Sequence, residues 1–97
     1  MSIYDIEGLE LLVKALLSIE DERECIDFLE DIMTRKEMTD IAQRILVAKM
    51  LSEQAVYNKI VEETGASTAT ISRVNRSYNY GSGGYAKILD RIKEDSK

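Results

Sequence analysis

The chain of 97 residues contains no histidine, no proline and no tryptophan, and only one cysteine and one phenylalanine. Without histidine there is no side chain whose ordinary charge change falls near neutral pH, so the usual general base, metal ligand and pH switch are all missing. One cysteine and no histidine leave no credible zinc ligand set, and no metal or other cofactor is expected. Cys25 has no partner for an internal disulfide, which suits a reducing cytoplasm. Its neighbours Ile26 and Leu29 predict a buried thiol. The absence of proline and the small number of glycines, five, favour an all-α chain with short connections. No apolar run approaches the roughly 20 residues of a membrane span, and no basic-then-apolar leader opens the chain. Neither a G-x-G-x-x-G nor a Walker pattern occurs. Gly81, Gly83 and Gly84 lack the flanking strand and Lys-Ser/Thr of a phosphate loop. The carboxylate pair Glu62-Glu63 reads as a solvated helix surface. No catalytic residue is assigned and no enzyme is expected.

What the chain does have is a patterned stretch over residues 54–79, QAVYNKIVEETGASTATISRVNRSYN. Its spacing predicts two short helices, 56–64 and 68–78, joined by Gly65-Ala66-Ser67. Ile60, Val61, Ile71 and Val74 fall on their inner faces. Gly65 stands where a left-handed residue ends the first helix, and Ser67 is placed to cap the second. Ordinary helical hairpins share this outline. The outer face of the second helix separates the cases: Thr68, Ala69, Ser72, Arg73, Asn75 and Arg76 are small, hydrogen-bonding or cationic. No carboxylate occurs between Glu63 and Asp90, in a chain with 18 acids and 13 bases. A helix-turn-helix that offers its second helix to the DNA major groove fits this face.

The net charge of −5 runs against nucleic-acid binding until its distribution is considered. Residues 1–43 hold 12 acids and 4 bases, whereas residues 44–97 hold 6 acids and 9 bases. The acidity belongs to the half without the motif. It would turn that half away from phosphate, or simply serve as a solvated surface.

In chain order, apolar residues at 6, 9, 12, 13, 16 and 17 predict a first helix over 3–19. The acidic Glu20, Asp21 and Glu22 suit the start of a second helix, whose stripe uses Cys25, Ile26, Leu29, Ile32 and Met33. Thr34 to Glu37 reads as a capping box, so a third helix should run from Arg35 to about Leu51. Met38, Ile41, Ala42, Ile45 and Ala48 would line one face of it, with Leu46, Val47 and Met50 on others. A helix apolar over that much of its girth needs cover on several sides, and one small subunit hardly supplies it. An interleaved homodimer built on residues 1–51 follows; the alternative is an intramolecular bundle with a monomeric reader. Beyond a flexible turn at 78–84, Tyr85, Ile88, Leu89 and Ile92 mark a short terminal helix that packs back with one face. Residues 94–97 are expected to fray.

The segment TGASTATISRVNRSYNYG, with Ala69-Thr70-Ile71-Ser72-Arg73 as its most specific piece, resembles the bacterial tryptophan repressor family, most closely its YerC/YecD-type branch of Trp-repressor-related proteins. The likeness extends over most of the chain, through the TRKE-type start of the third helix and Arg44 within it. It implies one Trp-repressor-like domain over 1–97: a six-helix, all-α, intertwined homodimer whose partner is double-stranded operator DNA. Residues 1–51 would form the dimerisation helices, 54–79 the helix-turn-helix and 84–95 the terminal helix. In tryptophan repressors two arginines sandwich the corepressor's indole, with a threonine before the third helix near the pocket. By motif position these are Arg44, Arg73 and Thr34. The chain departs from that pattern in two places. Val74 stands where tryptophan-binding members carry glycine, in space the ligand needs. One residue is also missing around 52–54, between the third helix and the reader.

The reading is therefore a sequence-specific transcriptional regulator, a repressor by resemblance, bound to a palindromic site. Thr68, Ala69 and Ser72 would face base edges, while Arg73, Arg76 and Asn58 hold phosphates. Ser67 caps the reader, and Thr70 would brace the first reader helix. Two alternatives stay open: a protein-interaction module on the same scaffold, and a sensor of an amino acid such as L-tryptophan.

Overall fold

Alternating apolar stripes and short polar connections fold into helices throughout the computed structural model, which describes residues 1–95. A 3₁₀ turn, Ile3–Asp5, is followed by α1 (Leu9–Leu17), α2 (Glu22–Ile32), α3 (Arg35–Ser52), α4 (Tyr57–Thr64), α5 (Thr68–Tyr80) and α6 (Gly84–Asp95). The described residues thus form six α-helices and no strand, an all-α fold. They divide into two compact units, one over residues 1–35 and one from Lys36 onward.

In the first unit the expected single helix over 3–19 is broken. Ser2 and Asp5 form a capping box around the 3₁₀ turn, and Gly8, at φ +86°, turns the chain into α1. A left-handed residue cannot continue a right-handed helix, so the apolar stripe crosses two elements. Asp21 caps α2, its Oδ1 accepting the Glu24 N–H at 2.8 Å. The Glu24 carboxylate reaches back to the Glu20 N–H at 3.1 Å, so two of the exposed donors at this helix start are satisfied. No residue of α1 or α2 is buried. Cys25 is half-buried rather than enclosed, because α2 has no cover over the stripe it belongs to.

The second unit holds the core. Val47, Ala48 and Met50 of α3 meet Ile60 of α4, Ala66 of the turn, and Ile71 and Val74 of α5. Leu51, Ala55, Tyr78, Tyr85 and Leu89 pack against this cluster. Enclosing a side chain such as Ile60 or Ile71 contributes about 1.5–3 kcal/mol. The compact unit that carries the reader therefore begins before it, at Lys36, because α3 supplies part of the core beneath it. The expected inner residue Val61 is instead 37 % exposed; with Ile60 pointing inward, a 100° step carries its neighbour toward the flank. On α6, Tyr85 and Leu89 pack inward while Ile88 and Ile92 remain exposed. α6 is helical to Asp95; Ser96 and Lys97, the last two residues of the expected frayed end, lie outside the described residues.

The connection from α3 to α4 closes tightly. The Ala55 N–H donates to the Met50 carbonyl and the Gln54 N–H to the Leu51 carbonyl, each at 3.0 Å. With Gln54 at φ +63°, this is a Schellman stop, here made without glycine. It brings Ala55 onto the core and fixes where α4 can start.

Candidate nucleic-acid interface

Three local devices set the pose of α5. Gly65 adopts φ +72° after α4 and its N–H donates to the Val61 carbonyl at 2.9 Å. Thr64 then locks the turn. Its hydroxyl donates to the Ile60 carbonyl at 2.7 Å and accepts the Ala66 N–H at 3.1 Å, holding Ala66 in the core. Ser67 caps α5, its Oγ accepting the Thr70 N–H at 3.1 Å. The Ser67 hydroxyl also donates to Thr70 Oγ1 at 3.1 Å. Thr70 thus braces the cap of its own helix, rather than the preceding helix as expected.

A fourth contact ties this motif to α3. The Gln43 side-chain amide donates to the Thr64 carbonyl oxygen at 3.2 Å, across 21 residues of sequence. That carbonyl is one of the last four of α4, which have no partner within their own helix. Sequence reasoning missed Gln43, Thr64 and Tyr85, because their roles depend on elements distant in the chain or on a side chain turning back on its own helix.

The face of α5 opposite the core carries Thr68, Ala69, Ser72, Arg73 and Arg76, all exposed. Ser67 and Asn58 are exposed beside it, while Thr70 is half-buried. Asn75 is also half-buried and engaged, since Asn79 Nδ2 donates to its side-chain oxygen at 2.8 Å and to its carbonyl at 3.0 Å. The cations differ in their company. Lys14, Arg23, Arg35, Lys36 and Lys49 each face a carboxylate within 3.5 Å, whereas Arg44, Arg73 and Arg76 have no such partner among the described residues. No acid lies in the first turn of α4 or α5, so neither helix start is neutralised from within.

Beside this face α3, α5 and α6 line a partly open pocket of about 170 Å³, bounded by Arg44, Thr70, Arg73, Val74, Ser77 and Tyr85. Three of the four residues assigned by resemblance to a ligand pocket, Arg44, Arg73 and Val74, are brought together here. The fourth, Thr34, belongs to the first unit. Among the described residues no group of three or more His, Cys, Asp or Glu side chains could hold a metal ion. No helix of the described residues is long and apolar enough to cross a membrane.

Comparison with known proteins supports the same architecture. The chain is 50% identical over 96 residues to the uncharacterized protein YerC of Bacillus subtilis, covering 97% of this chain and 92% of that one. Among solved structures it is similar to a TrpR-like protein from Eubacterium eligens, with a TM-score of 0.87, 49% identity and 92% of both chains covered. It is also similar to a candidate Trp repressor from Staphylococcus aureus, with a TM-score of 0.89, 42% identity, and 96% and 95% of the two chains covered. The profile of the family described as Trp repressor protein matches residues 7–93. By these matches, which run nearly from end to end, the chain belongs to the Trp repressor family.

Proposed function

We propose that this protein is a sequence-specific DNA-binding regulator of transcription, acting as a homodimer and repressing by occupying a palindromic operator. The observation that carries the reading is the exposed face of α5: hydroxyls, a methyl and two guanidiniums with no carboxylate partner among the described residues. Thr68, Ala69 and Ser72 have the size and chemistry to approach base edges, where methyls suit thymine and hydroxyls donate or accept. Arg73, Arg76 and Asn58 would hold phosphates and fix register. The starts of α4 and α5, free of acids in their first turns, add partial positive charge toward the same backbone.

The dimer is argued from surface that one subunit leaves open. Leu11 is 72 % exposed, and Leu12, Val13, Leu16 and Leu17 of α1 and Ile41, Ile45 and Leu46 of α3 are exposed with it. So many large apolar side chains exceed what a soluble monomer ordinarily shows, and each would gain about 1.5–3 kcal/mol on full burial. A second copy supplies the cover and the two-fold symmetry, setting two α5 helices about 34 Å apart, one turn of DNA. Neither a metal nor a catalytic group is needed for this role, and a reducing cytoplasm suits the lone Cys25.

A gel shift with pooled genomic fragments tests the reading. Retardation of a discrete subset, at a stoichiometry of two chains per site, is the expected result. A protein that retards no fragment would overturn DNA binding and favour a protein-interaction module or a sensor, and a lone protomer by sedimentation would overturn the dimer.

A further inference from the structure

The resemblance to tryptophan-binding repressors implies an indole between Arg44 and Arg73, and the pocket that holds these residues can be tested for fit. Its walls are of two kinds. Arg44 and Arg73 are exposed, and as long side chains they can swing aside. Val74 and Tyr85 cannot. Val74 is 2 % exposed and is a member of the core cluster, while Tyr85 packs against that cluster from α6. Both are held by the cluster to which Ile60 and Ile71 also belong, and close-packed interiors resist such shifts. Thr70, Arg73, Val74 and Ser77 lie at the spacing of one α5 face, and Val74 sits in the middle of it. The cleft between these walls holds about 170 Å³, small beside the roughly 300–1,000 Å³ of pockets that bury drug-sized ligands, so its apolar walls decide the fit.

We infer that Val74 and Tyr85 together set what this pocket admits and that they exclude an indole-bearing ligand. The two guanidiniums by themselves would attract the carboxylate of any amino acid; the fixed apolar walls decide which side chain can follow it in. The pocket thus departs from the ligand its family resemblance implies, through residues held by the core beneath the reader helix. The inference concerns the pocket alone and does not depend on whether α5 binds DNA.

The chain has no tryptophan of its own, so fluorescence of added L-tryptophan, excited where tyrosine does not absorb, reports binding directly. The parent protein should give a flat titration into the millimolar range. Val74→Gly should quench or shift the ligand's emission saturably, with affinity raised by at least roughly tenfold. Glycine weakens a helix, so the double variant Val74→Ala/Tyr85→Ala runs in parallel, with circular dichroism showing which variants are folded. Saturable binding by the parent protein would overturn the inference, and so would flat titrations from every folded variant. All arms use protein without DNA, so a failed titration counts against the pocket inference alone and a failed gel shift against DNA binding alone.

Discussion

Gln43 on α3 and Thr64 at the end of α4 are joined by a hydrogen bond of 3.2 Å, from side-chain amide to main-chain carbonyl. Thr64 also clamps the turn through its hydroxyl, so the same residue receives α3 on one side and starts the path to α5 on the other. The angle at which the reader leaves its scaffold therefore depends on a polar contact as well as on apolar packing. Replacing Gln43 by Leu keeps the bulk and leaves the Thr64 carbonyl unpaired in a part-buried site. The expected loss is about 1 kcal/mol, read as a lower urea midpoint at fixed protein concentration. If α5 binds DNA as proposed, affinity should fall for every sequence, since the pose of α5 changes and its exposed side chains do not.

The cap of α5 gives a sharper contrast. Ser67→Ala removes the acceptor for the Thr70 N–H and the partner of its hydroxyl. A lost N-cap of this kind costs about 1 kcal/mol, whereas glycine at the same place costs only a few tenths. Urea unfolding should therefore place the parent protein first in stability, Ser67→Gly second and Ser67→Ala last. Equal midpoints for Ser67→Ala and the parent protein would remove the cap from any role in holding α5.

Much of this architecture was legible because it is local. Gly65 and Ser67 announce the turn through backbone preferences that act within a few residues, and the observed φ and cap follow from them. The buried positions Ile60, Ile71 and Val74 follow from helical spacing alone. What was not legible depends on several elements at once. The stripe over 3–19 has the right period for one helix, yet Gly8 and the Ser2–Asp5 box divide it. Val61 satisfies the same apolar pattern as Ile60, and only the orientation of α4 on α3 decides which is enclosed. Thr70 lies one turn beyond Ser67, a spacing that fits either a brace or a cap partner. Tyr85 shares a pocket with Arg44 across 41 positions of sequence, a relation that no periodicity encodes.

Two glycines should resist substitution for different reasons. At Gly65 an added Cβ meets nothing within 4 Å, but the backbone stands at φ +72°. Alanine there carries only the conformational cost, about 1–2 kcal/mol. At Gly81 an added Cβ would collide with the carbonyl oxygen of Ser77, the acceptor for the Gly81 N–H at the end of α5. That atom is main chain and cannot rotate away, so Gly81→Ala must shift the α5–α6 turn. Thermal melts at matched concentration should show the larger loss for Gly81→Ala.

Gln54 offers the opposite opportunity. It holds φ +63° at the Schellman stop of α3, a left-handed conformation in which a side chain is disfavoured. Gln54→Gly relieves that strain while adding freedom to the unfolded chain, an entropy term of about 0.4–1 kcal/mol in the other direction. The strain term is the larger, so a small net gain in melting temperature is expected. A loss would mean that the Gln54 side chain makes a contact of its own.

The division of labour on α5 is tested by salt and sequence together. Arg76 is exposed and has no carboxylate partner among the described residues, so none of those carboxylates competes with phosphate for its guanidinium. If it neutralises one phosphate per subunit, Arg76→Ala removes two contacts from a dimer. The slope of log affinity against log salt should then become shallower by about 2. Matched and scrambled duplexes should weaken by a similar factor, because phosphate carries no sequence. Thr68→Ala leaves the charge unchanged and should leave the slope unchanged. It removes a hydroxyl from the side of α5 proposed to face the bases, so affinity should change at one symmetric pair of base positions by about 1–3 kcal/mol and little elsewhere. Binding measured across a salt series on both duplexes separates the two effects. An Arg76 variant whose loss is confined to the matched site would move that residue from backbone to base, and a Thr68 variant that weakens all duplexes alike would make its hydroxyl a support for the helix start instead.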